Sequence, residues 1–227
     1  MEYRTLGTSD LQLSAITYGA FAIGGNMWGG NEEKDSIHAV QASIEHGVTT
    51  LDTAPFYGFG LSEEMIGKAI KGYDRSKIQL LTKFGLVWNG SNEGKGEFFF
   101  DAERDGSSVP VYKYAAKESI IKEVEASLRR LETDYIDLLQ IHWPDSTTPI
   151  RETMEALDVL IRQGKIRAAG VSNYSVEQTV EAGKYLNVAS NQVGYSMLNR
   201  RIEQELVPFA LQHHLLSLIH ISEPTRA

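Results

Sequence analysis

Short runs rich in β-branched and aliphatic residues alternate with longer amphipathic runs along most of the chain. Segments 15–19, 48–52, 78–83, 136–142, 166–172 and 190–194 have the length and composition of strands. Between them the apolar residues recur at helical spacing. Ile37, Val40 and Ile44 share a face that stops at Gly47, and Leu61, Met65, Ile66 and Ile70 share another that stops at Gly72. Ile120, Val124, Leu128 and Leu131 make a third. A fourth helix is predicted from Thr148-Pro149, with proline in the first helical position, through Met154, Leu157 and Ile161 to Gly164. A fifth opens on Ser175 and Gln178 in capping-box spacing, and a sixth carries Leu206, Phe209 and Leu211.

Strand–helix alternation at nearly even spacing implies parallel strands joined by helical crossovers, an α/β fold. Strands such as Ile136-Asp137-Leu138-Leu139-Gln140-Ile141 mix polar and apolar residues as a barrel interior accepts. An open doubly wound sheet would show a Gly-x-Gly-x-x-Gly turn after its first strand. Gly24-Gly25 and Gly29-Gly30 lie near that place but lack the spacing and the helix directly behind it. The expected architecture is therefore a TIM-type (β/α)8 barrel, incomplete, with about six of its eight βα units. Segment 4–14, with the turn signal Gly7-Thr8-Ser9-Asp10, reads as an N-terminal hairpin that plugs the barrel floor. From 84 to 116, rich in Gly, Ser and aromatics, no period holds for long. This stretch is read as a long loop walling a substrate pocket, and its centre, 89–96, reads equally as a surface excursion.

Composition narrows the function. Hydrophobic residues at 42% and charged residues at 23% suit a globular domain, and no apolar run reaches the ~18 residues of a membrane span. The net charge of −8 argues against nucleic acid as a partner. Cysteine is absent, and Met1-Glu2-Tyr3-Arg4 lacks an apolar signal core, so a cytoplasmic protein is expected. The six histidines show no metal-ligand pattern, and no metal is expected.

In a parallel barrel all strands deliver their C-terminal ends to one rim, where active sites are built. Asp52 ends the second predicted strand, Lys83 the third, His142 the fourth and Ser172-Asn173 the fifth, while Gln192 lies in the sixth. Any one of these reads equally as a cap or a turn; the register across successive strands carries the signal. Tyr57, shortly beyond Asp52, can fold back over the rim. A phenol with its ordinary pKa near ~10 holds its proton at neutral pH. Lys83 nearby is expected to lower that value, and Asp52 to keep Lys83 charged. His142 can donate a hydrogen bond to a carbonyl oxygen or pass a proton to Tyr57. Such a set suits protonation of a carbonyl oxygen as hydride arrives at carbon.

These residues lie in segments that resemble the aldo-keto reductase family. Asp52 and Tyr57 stand in Leu51-Asp52-Thr53-Ala54-Pro55-Phe56-Tyr57-Gly58, followed by Ser62-Glu63. Lys83 stands in Leu81-Thr82-Lys83-Phe84, and His142 in Leu139-Gln140-Ile141-His142-Trp143-Pro144-Asp145. Gly170-Val171-Ser172-Asn173-Tyr174 is similar to the family segment that binds the nicotinamide carboxamide. Asn191-Gln192-Val193-Gly194-Tyr195-Ser196 is similar to the one that supplies its glutamine. The resemblance runs in order from Met1 to about His214. It implies a catalytic tetrad of Asp52, Tyr57, Lys83 and His142, with Tyr57 as general acid. It also implies NADPH or NADH lying across the rim against Asp52, Ser172, Asn173 and Gln192, and reversible reduction of a small-molecule aldehyde or ketone to an alcohol. Phe21, in Tyr18-Gly19-Ala20-Phe21, stands where the family often has an aromatic near the cofactor, and reads equally as a core residue. Trp88 and Trp143 are expected to line the substrate pocket, with a core role as the alternative. Two rival functions stay open. Barrels of this family also serve as non-catalytic NADPH-binding regulatory subunits. A Schiff-base aldolase built on Lys83 is the other, and it leaves Tyr57, Asn173 and Gln192 without roles.

Residues 1–215 are expected to form the partial barrel, and 216–227 a non-native tail. Where the family would supply a seventh strand, the chain reads Leu216-Ser217-Leu218-Ile219-His220-Ile221-Ser222-Glu223-Pro224-Thr225-Arg226, which resembles the in-frame translation of a transposase sequencing adapter; the alternative is a natural divergent tail in which Leu216, Leu218, Ile219 and Ile221 form a strand. On that expectation the phosphate-binding loops are missing and this polypeptide by itself is inactive.

Overall fold

The computed structural model describes residues 1–25, 32–90, 92 and 94–221, with 217–221 described at the backbone only. Gly29-Gly30 and the last part of the tail lie outside the described residues. The chain opens with an antiparallel pair, β1 (Tyr3–Thr5) and β2 (Gln12–Ser14), followed by β3 (Tyr18–Gly19), α1 (Glu33–Glu45), β4 (Thr50–Asp52), α2 (Leu61–Ile70) and β5 (Gln79–Phe84). Next come β6 (Leu86–Val87), β7 (Glu97–Arg104) and β8 (Ser107–Lys113). Alternation then resumes with α3 (Lys117–Arg130), β9 (Ile136–Ile141), α4 (Ile150–Arg162), β10 (Ile166–Ser172), α5 (Val176–Gly183), β11 (Val188–Tyr195), α6 (Leu206–Gln212) and β12 (Leu216–Ile221).

The main sheet is parallel throughout, in the order β3-β4-β5-β9-β10-β11-β12, with a helix in every crossover. This is an incomplete TIM-type α/β barrel. It runs one strand beyond the six read from sequence, because Leu216–Ile221 pairs with β11 from Ser190↔Leu216 to Tyr195↔Ile221. On the outer face, Leu51, Leu80, Leu139 and Val171 pack against helix residues Met65, Ile66, Ile120, Val124, Met154 and Leu157. Each such side chain contributes about 1.5–3 kcal/mol by leaving water. The inner face is different. Leu6, Leu11 and Leu13 from the hairpin fill the floor against Leu81, Leu138, Ala168 and Ala189, so the predicted plug is present. Asp137 ties the floor together, accepting from Arg75, Arg167 and the Leu80 amide, while Arg167 also reaches Asp10 in the hairpin turn.

Local signals are met with two differences. Ser175 and Gln178 form both bonds of the capping box. Pro149 sits at the N-cap of α4, outside the first helical position, because its ψ of 132° is extended. Segment 84–116 is largely ordered sheet, contrary to the long loop expected: β6, β8 and β7 pair antiparallel in that order. β7 and β8 are joined by Asp105-Gly106, whose φ angles of 50° and 75° suit a tight hairpin turn. Three consecutive aromatics, Phe98 to Phe100, hide the two-residue period, and the pairing shifts register among them.

Candidate active site

The rim is assembled from strand ends in register. Asp52 closes β4, Lys83 lies next to the last residue of β5, His142 follows β9, Ser172 closes β10, and Ser172 pairs with Gln192 on β11. Lys83 is completely buried. Its Nζ donates to Asp52 Oδ1 and Oδ2 and to the Thr53 carbonyl, each at 3.0 Å, and approaches the Tyr57 hydroxyl at 3.2 Å. An ammonium has three protons, so these acceptors saturate it. Gln192 Nε2 donates to Asp52 Oδ2 at 3.1 Å, bringing the sixth strand onto the same carboxylate.

Tyr57 reaches this group through a turn, Tyr57–Gly60, in which Gly58, Phe59 and Gly60 all have positive φ. The turn lies backbone to backbone on the segment Ala22–Gly24. A side-chain carbon at Gly58 would collide with the Gly24 carbonyl, and one at Gly24 with the Tyr57 backbone. Both positions need glycine for the phenol to come this close. The Phe21 ring stands edge-on to Tyr57 at 4.9 Å, and the His142 ring edge-on at 5.8 Å.

The electrostatics run against one expectation. Burial pushes the Tyr57 phenol upward more than the Lys83 charge pulls it down, and Asp52 adds to the rise, so its pKa lies above the ordinary value. Lys83 is an adjacent case with the opposite balance. Burial alone would depress its ammonium, but Asp52 and Tyr57 outweigh that and hold it above the ordinary lysine value.

Asn173, in the left-handed region at φ 60°, donates from Nδ2 to the His142 carbonyl and to Ser172 Oγ. Ser172 Oγ donates to the Gln192 carbonyl at 2.8 Å. Gln192 Oε1 is buried and has no hydrogen-bond partner among the described residues. Trp88 packs on Phe56 and Phe59 at 5.8 and 5.7 Å, Phe56 meets Phe100 at 5.6 Å, and Trp143 lies on Phe99 at 5.3 Å. Trp88 and Trp143 thus belong to an aromatic band that the β7–β8 hairpin completes. The stretch that holds Phe99 and Phe100 was read from sequence as a pocket wall, whereas Phe56 and Phe59 were given no pocket role; the Asp105-Gly106 turn is the signal for the hairpin that places the former two. Arg200 is paired with Glu203 at 2.8 and 2.9 Å.

Residues 15–222 match the Aldo/keto reductase family. The chain belongs to that family. It is 40% identical to the aldo-keto reductase YhdN of Bacillus subtilis (strain 168), over 97% of this chain and 61% of that protein. To the NADH-specific methylglyoxal reductase of Escherichia coli (strain K12) it is 37% identical, over 95% of this chain and 65% of the relative. A solved structure of a glycerol dehydrogenase from Gluconobacter oxydans superposes with a TM-score of 0.82 at 37% identity, covering 96% of this chain and 62% of the other. The chain therefore spans a little under two thirds of the length of these relatives. Every aldo-keto reductase motif named above falls inside the matched residues. Among the described residues no helix is long and apolar enough to cross a membrane.

Proposed function

We propose that the protein carrying this chain is a cytoplasmic, NAD(P)H-dependent aldo-keto reductase that reduces a small aldehyde or ketone to an alcohol, with Tyr57 as general acid. The observation that carries the reading is the buried Lys83 ammonium, held by both Asp52 oxygens and set 3.2 Å from the Tyr57 hydroxyl.

A nicotinamide fits the residues present. The unpartnered acceptor Gln192 Oε1 is what a primary carboxamide N–H would satisfy, and leaving it bare is costly. Asp52, Ser172, Asn173 and Gln192 would hold the ring, with Phe21 beside it. When bound, the reduced cofactor supplies hydride to the carbonyl carbon. The chain's own residues manage the proton. Tyr57 keeps it at neutral pH because burial raises its pKa, and gives it to the carbonyl oxygen as negative charge develops there. Lys83 then stabilises the phenolate that remains, and Asp52 keeps Lys83 charged and immobile. The His142 ring, beside Tyr57, donates to the same carbonyl oxygen and orients it. A lysine held protonated has no lone pair for attack on a carbonyl, which speaks against a Schiff-base role. Trp88 and Trp143, backed by the hairpin aromatics, form an apolar wall for the substrate. The relatives named for methylglyoxal and glycerol make small oxygenated compounds the first substrates to try.

Turnover of Tyr57→Phe tests the proposal. Carbonyl reduction is expected to fall by about 10²–10⁴-fold while nicotinamide affinity holds within a few-fold. A native protein that binds nicotinamide but oxidises none with any carbonyl would favour the regulatory-subunit reading instead.

A further inference from the structure

The first turn of α2 is fastened to three strands at once. Ser62 Oγ donates to the Ala20 carbonyl just past β3 at 2.7 Å, which leaves Thr53 Oγ1, just past β4, to donate to Ser62 Oγ at 2.8 Å. Glu63 is completely buried. Its Oε1 accepts from Thr82 Oγ1 on β5 at 2.6 Å, and its Oε2 accepts from Arg130 Nε at the end of α3 at 2.7 Å, in an ion pair that brings Arg130 Nη2 to 2.6 Å. Two consecutive side chains thus grip residues adjacent in sequence to Phe21, Asp52 and Lys83. The same turn continues directly from Tyr57–Gly60. A buried carboxylate costs stability unless its partners are short and well aligned, and a leucine here would bind helix to strand more cheaply. Directional bonds do what apolar contact does not: they fix register.

We propose that Glu63, supported by Ser62, is a positioning residue for carbonyl reduction, locking β5 to the α2 turn and so setting the separation of the Tyr57 hydroxyl and Lys83 Nζ. This rests on the reading of Tyr57 as acid and Lys83 as its partner. Thr82 points outward toward Glu63 while its neighbour Lys83 points inward, so a slip of β5 against α2 moves Lys83 away from Tyr57 without touching either residue.

The experiment compares Thr82→Val, which deletes the hydroxyl that Glu63 holds, with Thr82→Ser, which keeps it. Thr153→Val is the control, since it removes an equally buried hydroxyl bound to the Ala115 carbonyl, away from the tetrad. Thr82→Val is expected to lower kcat about tenfold with KM changed less than about twofold. Tyr57 ionisation, read as the difference in tyrosinate absorbance between each protein and its Tyr57→Phe counterpart, should rise by about half a pH unit or more. Thr82→Ser should restore both, and Thr153→Val should lower the melting temperature with neither change. If Thr82→Val behaves like Thr153→Val, with unchanged kcat and unchanged Tyr57 ionisation, Glu63 is structural only and the proposal is overturned. Should Thr82→Val fail to fold, Glu63→Gln is read by the same two measurements with the same two outcomes. Full turnover in Tyr57→Phe would overturn the acid assignment instead, and the ionisation shift reports on positioning whichever way that falls.

Discussion

Leu81 and Lys83 stand two residues apart on the inner face of β5, one on the barrel floor and one at its rim, and both are completely buried. The floor is closed by apolar contact among Leu6, Leu11, Leu13, Leu81 and Leu138, which is non-directional and adds up by area. The rim buries a carboxylate, an ammonium and a phenol within hydrogen-bonding reach of each other. Taking such charges out of water costs several kcal/mol per ion, by order of magnitude, and their attraction only roughly returns it. The same strand therefore contributes stability at one end and gives it up at the other, for what the proposed function makes a reactive geometry. A barrel can support this division because a packed floor holds the strand ends rigid.

The sharpest way to break the comparison is Lys83→Met. Turnover should fall by about 10²–10⁴-fold, since the Tyr57 phenolate loses its stabilising charge. Stability should also fall, by roughly 3–5 kcal/mol, because Asp52 is left buried without its cation. A Lys83→Met/Asp52→Leu pair should recover most of that stability and none of the turnover. Urea denaturation and single-turnover kinetics on the three proteins check it. A double variant no more stable than the single one would mean that the rim charges hold the fold together as the floor does.

The floor should give the reverse pattern. Leu138→Ala leaves a cavity beneath the site and is expected to cost about 2–5 kcal/mol. The kcat of the folded fraction should stay within about twofold, because a floor cavity leaves the rim hydrogen bonds intact. A large kcat loss at full foldedness would show that the two ends are coupled.

What could be read from the chain alone follows the same divide between local and distant causes. Strands and helices announce themselves through periods of two and of 3.6 residues. Asp52 and Tyr57 belong to one continuous motif, so their proximity was legible. The contact of Gln192 with Asp52 is not local at all, bridging a separation of 140 residues, and only barrel register predicts it. The β7–β8 hairpin escaped because the irregularity around Phe99 broke the alternation, and the first parallel strand proved only Tyr18–Gly19 where 15–19 was expected. Tyr57 shows the deeper limit. The charge of Lys83 was visible and its direction right, but the opposing burial depends on Phe21, His142 and the Gly24–Gly58 contact, none of which is written next to Tyr57.

A third point on β5 gives the smallest expected effect and tests the outer side of the rim. Just past the strand, the Gly85 amide donates to Glu123 Oε2 at 2.9 Å, and Ser119 Oγ donates to Oε1 at 2.9 Å. Burial pushes the Glu123 carboxyl up to about 7, with Glu63 adding to the rise, while these two bonds and Arg130 pull it down. A folded pKa above the unfolded one means that the native state holds the extra proton. This stabilising share is complete below about pH 4.5 and is lost as pH rises through about 7. Melting temperature should therefore decline over that window in the native protein. Glu123→Gln cannot ionise, so it should flatten the decline and be the more stable protein at about pH 8. Allowing for solvent around this half-buried residue, the gain is about 1 kcal/mol, or ~2–4 °C. Turnover at that pH should not change, because the glutamine keeps an acceptor for the Gly85 amide and so leaves the end of β5 where it is. If the decline persists in Glu123→Gln, the titrating group lies elsewhere, and the outer side of the rim contributes no pH dependence of its own.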